Sequence, residues 1–118
     1  MDATVTDHHD QLRAWARGNT TEEAAVELLI RAFEGRFAAN GKPWVLSDGG
    51  TAWVNWQEIP EWTGGLSGGE RRFLLLTASL AGGESADLSD VSGLDYALQD
   101  LLLDALRHAG GRPVFARR

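Results

Sequence analysis

Residues 64 to 83 read GGLSGGERRFLLLTASLAGG and carry the strongest helix signal in the chain. Ser67 stands three residues before Glu70, the spacing of a capping box in which each side chain binds the backbone amide of the other residue. The run from Phe73 to Ala81 is apolar on nearly every side, and the pair Gly82-Gly83 ends it. Because such a helix must be covered over most of its surface, we expect it to be the central helix of the core.

The same spacing between a capping residue and a carboxylate occurs at three other places: Asp7-His8-His9-Asp10, Thr20-Thr21-Glu22-Glu23 and Ser92-Gly93-Leu94-Asp95. Apolar residues follow each of them at intervals of three and four, the period of an amphipathic helix. The second and third patterns predict long helices capped by Thr20 and by Ser92, with glycine-containing stops at residues 40 to 41 and 110 to 111. The first pattern predicts only a short helix, over residues 8 to 17.

Between residues 43 and 56 the apolar pattern changes from the period of a helix to the period of a strand. Pro43–Leu46 and Thr51–Trp56 contain aromatic and β-branched residues, and they flank the turn sequence Ser47-Asp48-Gly49-Gly50. This arrangement predicts a β-hairpin. Alternation in the second strand places Ala52, Val54 and Trp56 on one face and Trp53 and Asn55 on the other. An isolated hairpin is marginal in water, so we expect one face to pack on the helices.

The chain of 118 residues is long enough for one domain with one core. Apolar residues make up 43% and charged residues 24%, proportions typical of a folded globular protein. We therefore predict a single, mainly helical α+β domain with three principal helices and one tryptophan-rich β-hairpin. Within it, residues 1 to 19 form an N-terminal extension, residues 20 to 110 form the core and residues 111 to 118 form a basic tail.

Composition also limits where the protein acts and what it binds. The net charge of −6 disfavours binding to nucleic acid or to anionic lipid. The chain lacks cysteine, has no apolar run of membrane-spanning length, and starts with the acidic, polar sequence MDATVTDHHD instead of a secretory signal. We expect a cytoplasmic protein that does not act at a membrane.

The sequence Leu66-Ser67-Gly68-Gly69-Glu70 resembles the signature of ABC-type ATPases, and Ser92-Gly93-Leu94-Asp95 resembles the D-loop of the same family. In that family, the signature serine and glycines donate hydrogen bonds to the γ-phosphate of a nucleotide held mainly by the opposing subunit. The resemblance implies that Asp95 is an interface aspartate. The residues available to an anion at this helix end are Ser67, Gly68, Gly69, Arg71 and Arg72.

This resemblance covers only residues 66 to 95, and the parts that carry out hydrolysis are missing. The chain has no G-x-x-x-x-G-K-[ST] motif, and Lys42 is followed by Pro43 instead of Ser or Thr. Where the family has the Asp-Glu pair that binds magnesium and positions water, this chain has Leu88 and Ser89. We therefore predict that the protein is not an enzyme and uses no cofactor, and that SGGE and SGLD serve as helix caps.

A wider pattern joins the aromatic hairpin, SGGERR with its leucine-rich helix, and SGLD with a second such helix. This pattern covers residues 22 to 110 and resembles small uncharacterised proteins of actinobacterial genomes and mobile elements. All but Lys42 of the 11 basic residues are Arg, a bias that agrees with a GC-rich genome. The resemblance implies no activity.

Tryptophan is frequent in this chain, with 5 residues in all. Two interpretations are open for the group between residues 44 and 62. It can form an aromatic platform on which a sugar, a base or a peptide stacks, or it can complete a small core. Completing the core is the commoner role and is favoured here. The group consists of Trp44, Trp53, Trp56 and Trp62.

Two histidine-containing patterns have simple structural interpretations. The histidines of Asp7-His8-His9-Asp10 are suitable metal ligands, but adjacent residues point apart, so we expect a solvated N-terminus and no metal site. Asp104 and His108 lie one helical turn apart, and no motif supplies a nucleophile beside them. We expect an ordinary pair near the end of a helix.

These observations favour a cytoplasmic, non-enzymatic interaction or accessory module that binds a protein partner or a second copy of itself. Arg112, Arg117 and Arg118 follow a stretch from Phe73 to Leu106 without Arg or Lys, a charge asymmetry that would guide association. A second hypothesis is a nucleotide- or anion-sensing domain that uses the helix end at Ser67. A third is a winged-helix-like DNA binder with a helix-turn-helix over residues 57 to 81, which the acidic net charge disfavours.

Overall fold

The computed structural model describes residues 3–115, which contain five α-helices and one antiparallel hairpin. The helices are α1 (Ala3–Ala16), α2 (Thr20–Arg31), α3 (Glu58–Glu61), α4 (Gly68–Gly82) and α5 (Tyr96–Ala109), and the strands are β1 (Val45–Asp48) and β2 (Thr51–Val54). Two 3₁₀ segments, Ala32–Ala38 and Leu88–Gly93, follow α2 and precede α5. The predicted α+β fold, mainly helical with one hairpin, is confirmed.

The helix at the centre of the molecule is α2. All residues from Ala24 to Leu29 are buried, and α2 packs against α1, α4 and α5. The prediction that α4 is the central helix is wrong, because Leu75 and Leu80 of α4 stay partly exposed. A helix with neighbours on three sides needs small or apolar residues around its circumference, and α2 supplies two alanines, a valine and two leucines in its buried segment.

The N-terminal helix α1 is longer than the sequence indicates, and it belongs to the core. Leu12 and Ala16 are buried, and α1 packs against α2 and β2. His8 is buried as well, with its Nε2 atom 2.8 Å from the carbonyl oxygen of Ala38. The expectation of a solvated N-terminus is therefore wrong for His8. A backbone carbonyl satisfies its imidazole, and the sequence gives no sign of that distant partner.

The chain leaves the helical path at the end of α2. The apolar pattern predicts a helix that continues to residue 40, but α2 ends at Arg31 and Ala32 has extended backbone angles. Phe33, Glu34 and Gly35 then adopt left-handed angles, with φ of 51°, 58° and 76°. We refer to residues 33 to 35 as the left-handed turn.

Aromatic packing accounts for this departure. The ring of Phe33 meets the rings of Phe37 and Phe73 edge to face, with centroid distances of 5.4 Å and 5.6 Å. Such pairs contribute about 0.5–1.5 kcal/mol each beyond their burial. Left-handed angles cost an L-residue about 1–2 kcal/mol, so the two contacts offset much of the strain.

The hairpin has the predicted division between its two faces. β1 and β2 pair antiparallel with Leu46 opposite Trp53, and residues 49 and 50 form a turn in which both glycines have positive φ. Trp53 and Asn55 are half-buried on one face. The other face is buried against the helical core and carries Ala52, Val54 and Trp56.

Two helix caps lie at residues other than those predicted. Asn19, not Thr20, caps α2 and accepts a hydrogen bond from the first turn at 3.1 Å. Asp95, not Ser92, caps α5 and accepts a hydrogen bond from the first turn at 2.8 Å. In both cases several capping residues stand near one another in the sequence, and the one with extended backbone angles directly before the helix takes the role.

The described part of the tail folds back onto the core. Phe115 is buried, its ring centroid lies 5.3 Å from that of His108, and the guanidinium carbon of Arg31 lies 4.6 Å from the Phe115 centroid. Arg112 is exposed. The other basic residues of the predicted tail, Arg117 and Arg118, lie outside the described residues.

Candidate functional site

The helix end at Ser67 forms a complete capping box. The Oγ atom of Ser67 accepts a hydrogen bond from the amide of Glu70 at 3.3 Å, and Oε1 of Glu70 accepts one from the amide of Ser67 at 3.2 Å. The second carboxylate oxygen of Glu70 accepts from Arg36, and this hydrogen bond lowers the pKa of Glu70. The ionised carboxylate therefore lies where a bound anion would need to be.

The remaining residues of the predicted anion site are exposed or used in packing. Arg71 is exposed, and a Cβ added at Gly69 would meet no other atom within 4 Å. Arg72 lies against Gly68 and Gly93, so closely that a Cβ at Gly93 would come within 2.8 Å of its side chain. The SGGE and SGLD segments are thus in contact through Arg72, and Gly93 leaves the space that this side chain fills.

The four tryptophans of the predicted platform are separated in the structure. Trp44 and Trp56 are buried, and their indole N–H groups donate to a backbone carbonyl and to a carboxylate, both at 2.8 Å. Trp53 is half-buried, whereas Trp62 is 57% exposed. No ring contact joins Trp53 to Trp62 within residues 3–115. Trp44 and Trp56 complete the core, so a platform of all four residues does not form.

Helix α5 presents an exposed stripe that is mostly apolar. Tyr96, Gln99, Leu103 and Leu106 recur at intervals of three, four and three residues and therefore share one side of the helix. Tyr96 is 83% exposed, Leu103 49% and Leu106 48%. Gln99 is half-buried, and its side chain donates to two backbone carbonyls of the preceding segment. We refer to these four residues as the α5 outer face.

The spacing of Asp104 and His108 predicts that they pair, but in the structure they do not. His108 is 2% exposed, and its Nε2 atom lies 2.8 Å from Oε1 of Glu23 on α2. The amide of Phe115 donates to Nδ1 at 3.4 Å, so Nε2 carries the proton and donates to Glu23. Asp104 pairs instead with Arg107 at the surface. Sequence reasoning missed the Glu23 contact because no local pattern connects two residues so far apart in the chain.

Glu27 on α2 forms a second polar cluster, of which the i,i+4 spacing in the sequence predicts only the pair with Arg31. It is buried and accepts hydrogen bonds from Nε of Arg13 on α1 and from Nε of Arg31, each at 2.8 Å. Burial alone would raise the pKa of Glu27, but the hydrogen bonds from Arg13 and Arg31 outweigh burial and lower it. Glu23, Glu27 and His108 line one cleft between α1, α2 and the end of α5.

No group of three or more His, Cys, Asp or Glu side chains in the described residues is placed to hold a metal ion. None of the helices described within residues 3–115 is long and apolar enough to cross a membrane.

Comparison of the chain with protein-family models, with curated proteins and with solved structures gave no match. The resemblances to the ABC-type ATPase motifs and to the small actinobacterial proteins therefore stay predictions.

Proposed function

We propose that this protein is a small, cytoplasmic, non-enzymatic interaction module that pairs with a second copy of itself through the α5 outer face. The observation that carries the proposal is the exposure of Tyr96, Leu103 and Leu106 on one side of a single helix. Single exposed apolar residues are normal on a protein surface, whereas contiguous apolar patches mark contact sites. The three-four-three spacing is that of residues that meet in paired helices.

The charges on α5 favour an antiparallel pair. Asp95 caps the N-terminus of α5 and Asp100 lies in its first half, whereas Arg107 and Arg112 lie near or beyond its C-terminal end. Asp104 lies in the second half and pairs with Arg107 of the same helix. In a parallel pair, like charges would meet. In an antiparallel two-fold pair, the acidic end of each helix lies beside the basic end of the other, which favours association between two chains of net charge −6.

The length of α5 limits the affinity. A helix of 14 residues is about 21 Å long, and a single pair of such helices buries less than the roughly 1,200–2,000 Å² of a standard stable interface. We therefore expect a dissociation constant of the order of 10 μM.

Sedimentation equilibrium across the micromolar concentration range tests the proposal. We expect the parent protein to shift from monomer to dimer, and Leu103→Glu to weaken the dimer by at least about tenfold, because it places a charge in the contact. Leu46→Glu is the matched control, since Leu46 is 40% exposed but lies on β1. A parent protein that stays monomeric, or a dimer that Leu103→Glu leaves unchanged, overturns the proposal.

A charge exchange tests the antiparallel orientation separately. Asp100→Arg and Arg107→Asp should each weaken the dimer, because each places like charges together, and the double variant should restore it. A double variant no better than either single variant would contradict the antiparallel arrangement.

The structure gives less support to the other two hypotheses. A nucleotide sensor at Ser67 requires Glu70 to leave both the Ser67 amide and Arg36. A DNA binder requires α4 to enter a groove, but Phe73 and Leu74 of that helix are buried in the core.

A further inference from the structure

A cleft of about 600 Å³ opens between α1, α2 and the C-terminal end of α5. This volume is within the roughly 300–1,000 Å³ of typical small-molecule sites. Its apolar lining consists of the exposed Ala14 and of Val26 and Phe115, which are largely buried. Three guanidinium groups, those of Arg13, Arg17 and Arg31, line it as well.

Two carboxylates of the cleft, those of the buried Glu27 and the partly buried Glu23, are already engaged by donors of the protein. Glu27 accepts from Nε and Nη2 of Arg13, at 2.8 Å and 3.3 Å, and from Nε of Arg31 at 2.8 Å. Glu23 accepts from His108 and from a backbone amide, both at 2.8 Å. Because each oxygen of these two carboxylates accepts at least one hydrogen bond from the protein, they hold the cleft together and oppose a bound anion less than free carboxylates would.

The guanidinium groups of Arg17 and Arg31, by contrast, have unused donors. Arg31 binds Glu27 through Nε alone, which leaves both of its terminal amino groups available. Arg17 makes no ion pair and no side-chain hydrogen bond with any residue that the structure describes. Asp10 is the third carboxylate at the cleft, and its side chain is 65% exposed, where water screens its charge. The cleft therefore offers donors to an acceptor-rich ligand.

The walls of the cleft are held in place without a ligand. Glu27 fixes Arg13 and Arg31 by charge-assisted hydrogen bonds. His108 is fixed by hydrogen bonds at both ring nitrogens, and its ring packs against Phe115. A site arranged in advance loses little conformational entropy when a ligand binds.

We propose that this cleft binds a small organic anion with a planar apolar body. Its carboxylate or phosphate group is held by the guanidinium groups of Arg17 and Arg31, whose geometry matches two oxygens of either group, while Arg13, bound to Glu27, adds positive charge at the cleft. Its apolar body packs against the apolar lining of the cleft, Ala14, Val26 and Phe115. The site is separate from the α5 outer face, because His108 lies on the buried side of α5, so ligand binding does not depend on the proposed self-association.

Isothermal titration calorimetry with three related probes tests the proposal: 2-naphthoate, 2-naphthyl phosphate and the neutral alcohol 2-naphthol. We expect saturable binding of at least one anion, with one ligand per chain and an affinity at least about fivefold higher than that of 2-naphthol. The anion that binds more tightly identifies the head group as carboxylate or phosphate. No saturable binding of either anion, or equally tight binding of 2-naphthol, overturns the proposal.

Arg17→Gln tests the site itself, because the Arg17 side chain has no ion pair or hydrogen bond within residues 3–115 whose loss would affect folding. We expect this variant to bind the better anion at least about fivefold more weakly, with an unchanged melting temperature. Arg71→Gln is the matched control, since Arg71 is an exposed arginine on α4, outside the cleft. Equal binding by Arg17→Gln and Arg71→Gln shows that Arg17 does not hold the anion and overturns the proposed site.

Discussion

Glu70 makes two contacts at once, and together they close the helix end that resembles a nucleotide-binding signature. One carboxylate oxygen accepts from the amide of Ser67, and the other pairs with Arg36 of the first 3₁₀ segment. A phosphate at this helix end would have to displace the carboxylate from both partners. The residues of the signature are therefore present, but their side chains stabilise α4 and its connection to the rest of the core.

Ser67→Ala should lower the free energy of unfolding by about 1 kcal/mol, the usual loss when an N-cap oxygen is removed. Ser67→Asp, which keeps a capping oxygen, should restore most of it. Urea denaturation measures both changes in the free energy of unfolding, and Ser85→Ala in the exposed loop after α4 is the control for the same chemical change.

ATP with magnesium should not raise the melting temperature of the parent protein or of the Ser67 variants. A stabilisation by ATP that disappears in Ser67→Ala would contradict the closed cap.

At the level of elements, the left-handed turn after α2 redirects the chain from the centre of the molecule toward the hairpin. Phe33 gains its contacts with Phe37 and Phe73 only because the helix stops at Arg31. Gly35 adopts its positive φ without strain, but Phe33 and Glu34 do not. Glu34 is exposed, so its backbone strain can be changed without disturbing the core.

Glu34→Asn should raise the free energy of unfolding by up to about 1 kcal/mol, because Asn tolerates left-handed angles better than Glu does. Thermal and urea denaturation give the change. Glu61→Asn, at an exposed position of the right-handed helix α3, should instead lower stability by a few tenths of a kcal/mol. If both variants lose stability to the same extent, the turn is not strained at Glu34.

At the scale of the whole molecule, the cluster of Arg13, Glu27 and Arg31 ties α1 to α2 and should give the fold a measurable acid sensitivity. The pKa of Glu27 is lowered in the folded protein from its usual value of 4.5. A carboxyl group of this kind contributes stability that is present above about pH 4.5 and is lost as the pH falls through the lower, folded-state value.

Glu27→Gln should therefore lower the free energy of unfolding near neutral pH by about 1–3 kcal/mol, the cost of losing a charged hydrogen-bond acceptor. The difference from the parent should shrink as the pH falls below about 4.5, since protonation removes the same charge from the parent. Urea denaturation over a pH series measures this difference. Asp104→Asn, which removes one member of an exposed pair, should cost less than about 1 kcal/mol. If the free energies of unfolding of Glu27→Gln and the parent differ by a constant amount down to pH 3, the ionised carboxylate of Glu27 is not the source of the stability.

The sequence by itself determined the features that depend on neighbouring residues. The capping box at Ser67, the hairpin with its glycine turn, and the separation of Ala52 and Trp53 onto opposite faces all follow from spacing, because backbone geometry sets these relations within a few residues. The i,i+4 spacing of Glu27 and Arg31 also predicts their pair.

Only the tertiary structure decided which surfaces are covered. The spacing of apolar residues after Ser92 predicts one buried stripe, made of Leu94, Leu98, Leu101, Leu102, Ala105 and Leu106. Leu102 and Ala105 are buried, but Leu106 remains 48% exposed. The cleft depends on Arg13 from α1, Glu23 from α2 and His108 from α5, residues that no local period relates. Contacts between distant segments depend on the packing of whole helices, and local spacing carries no information about that packing.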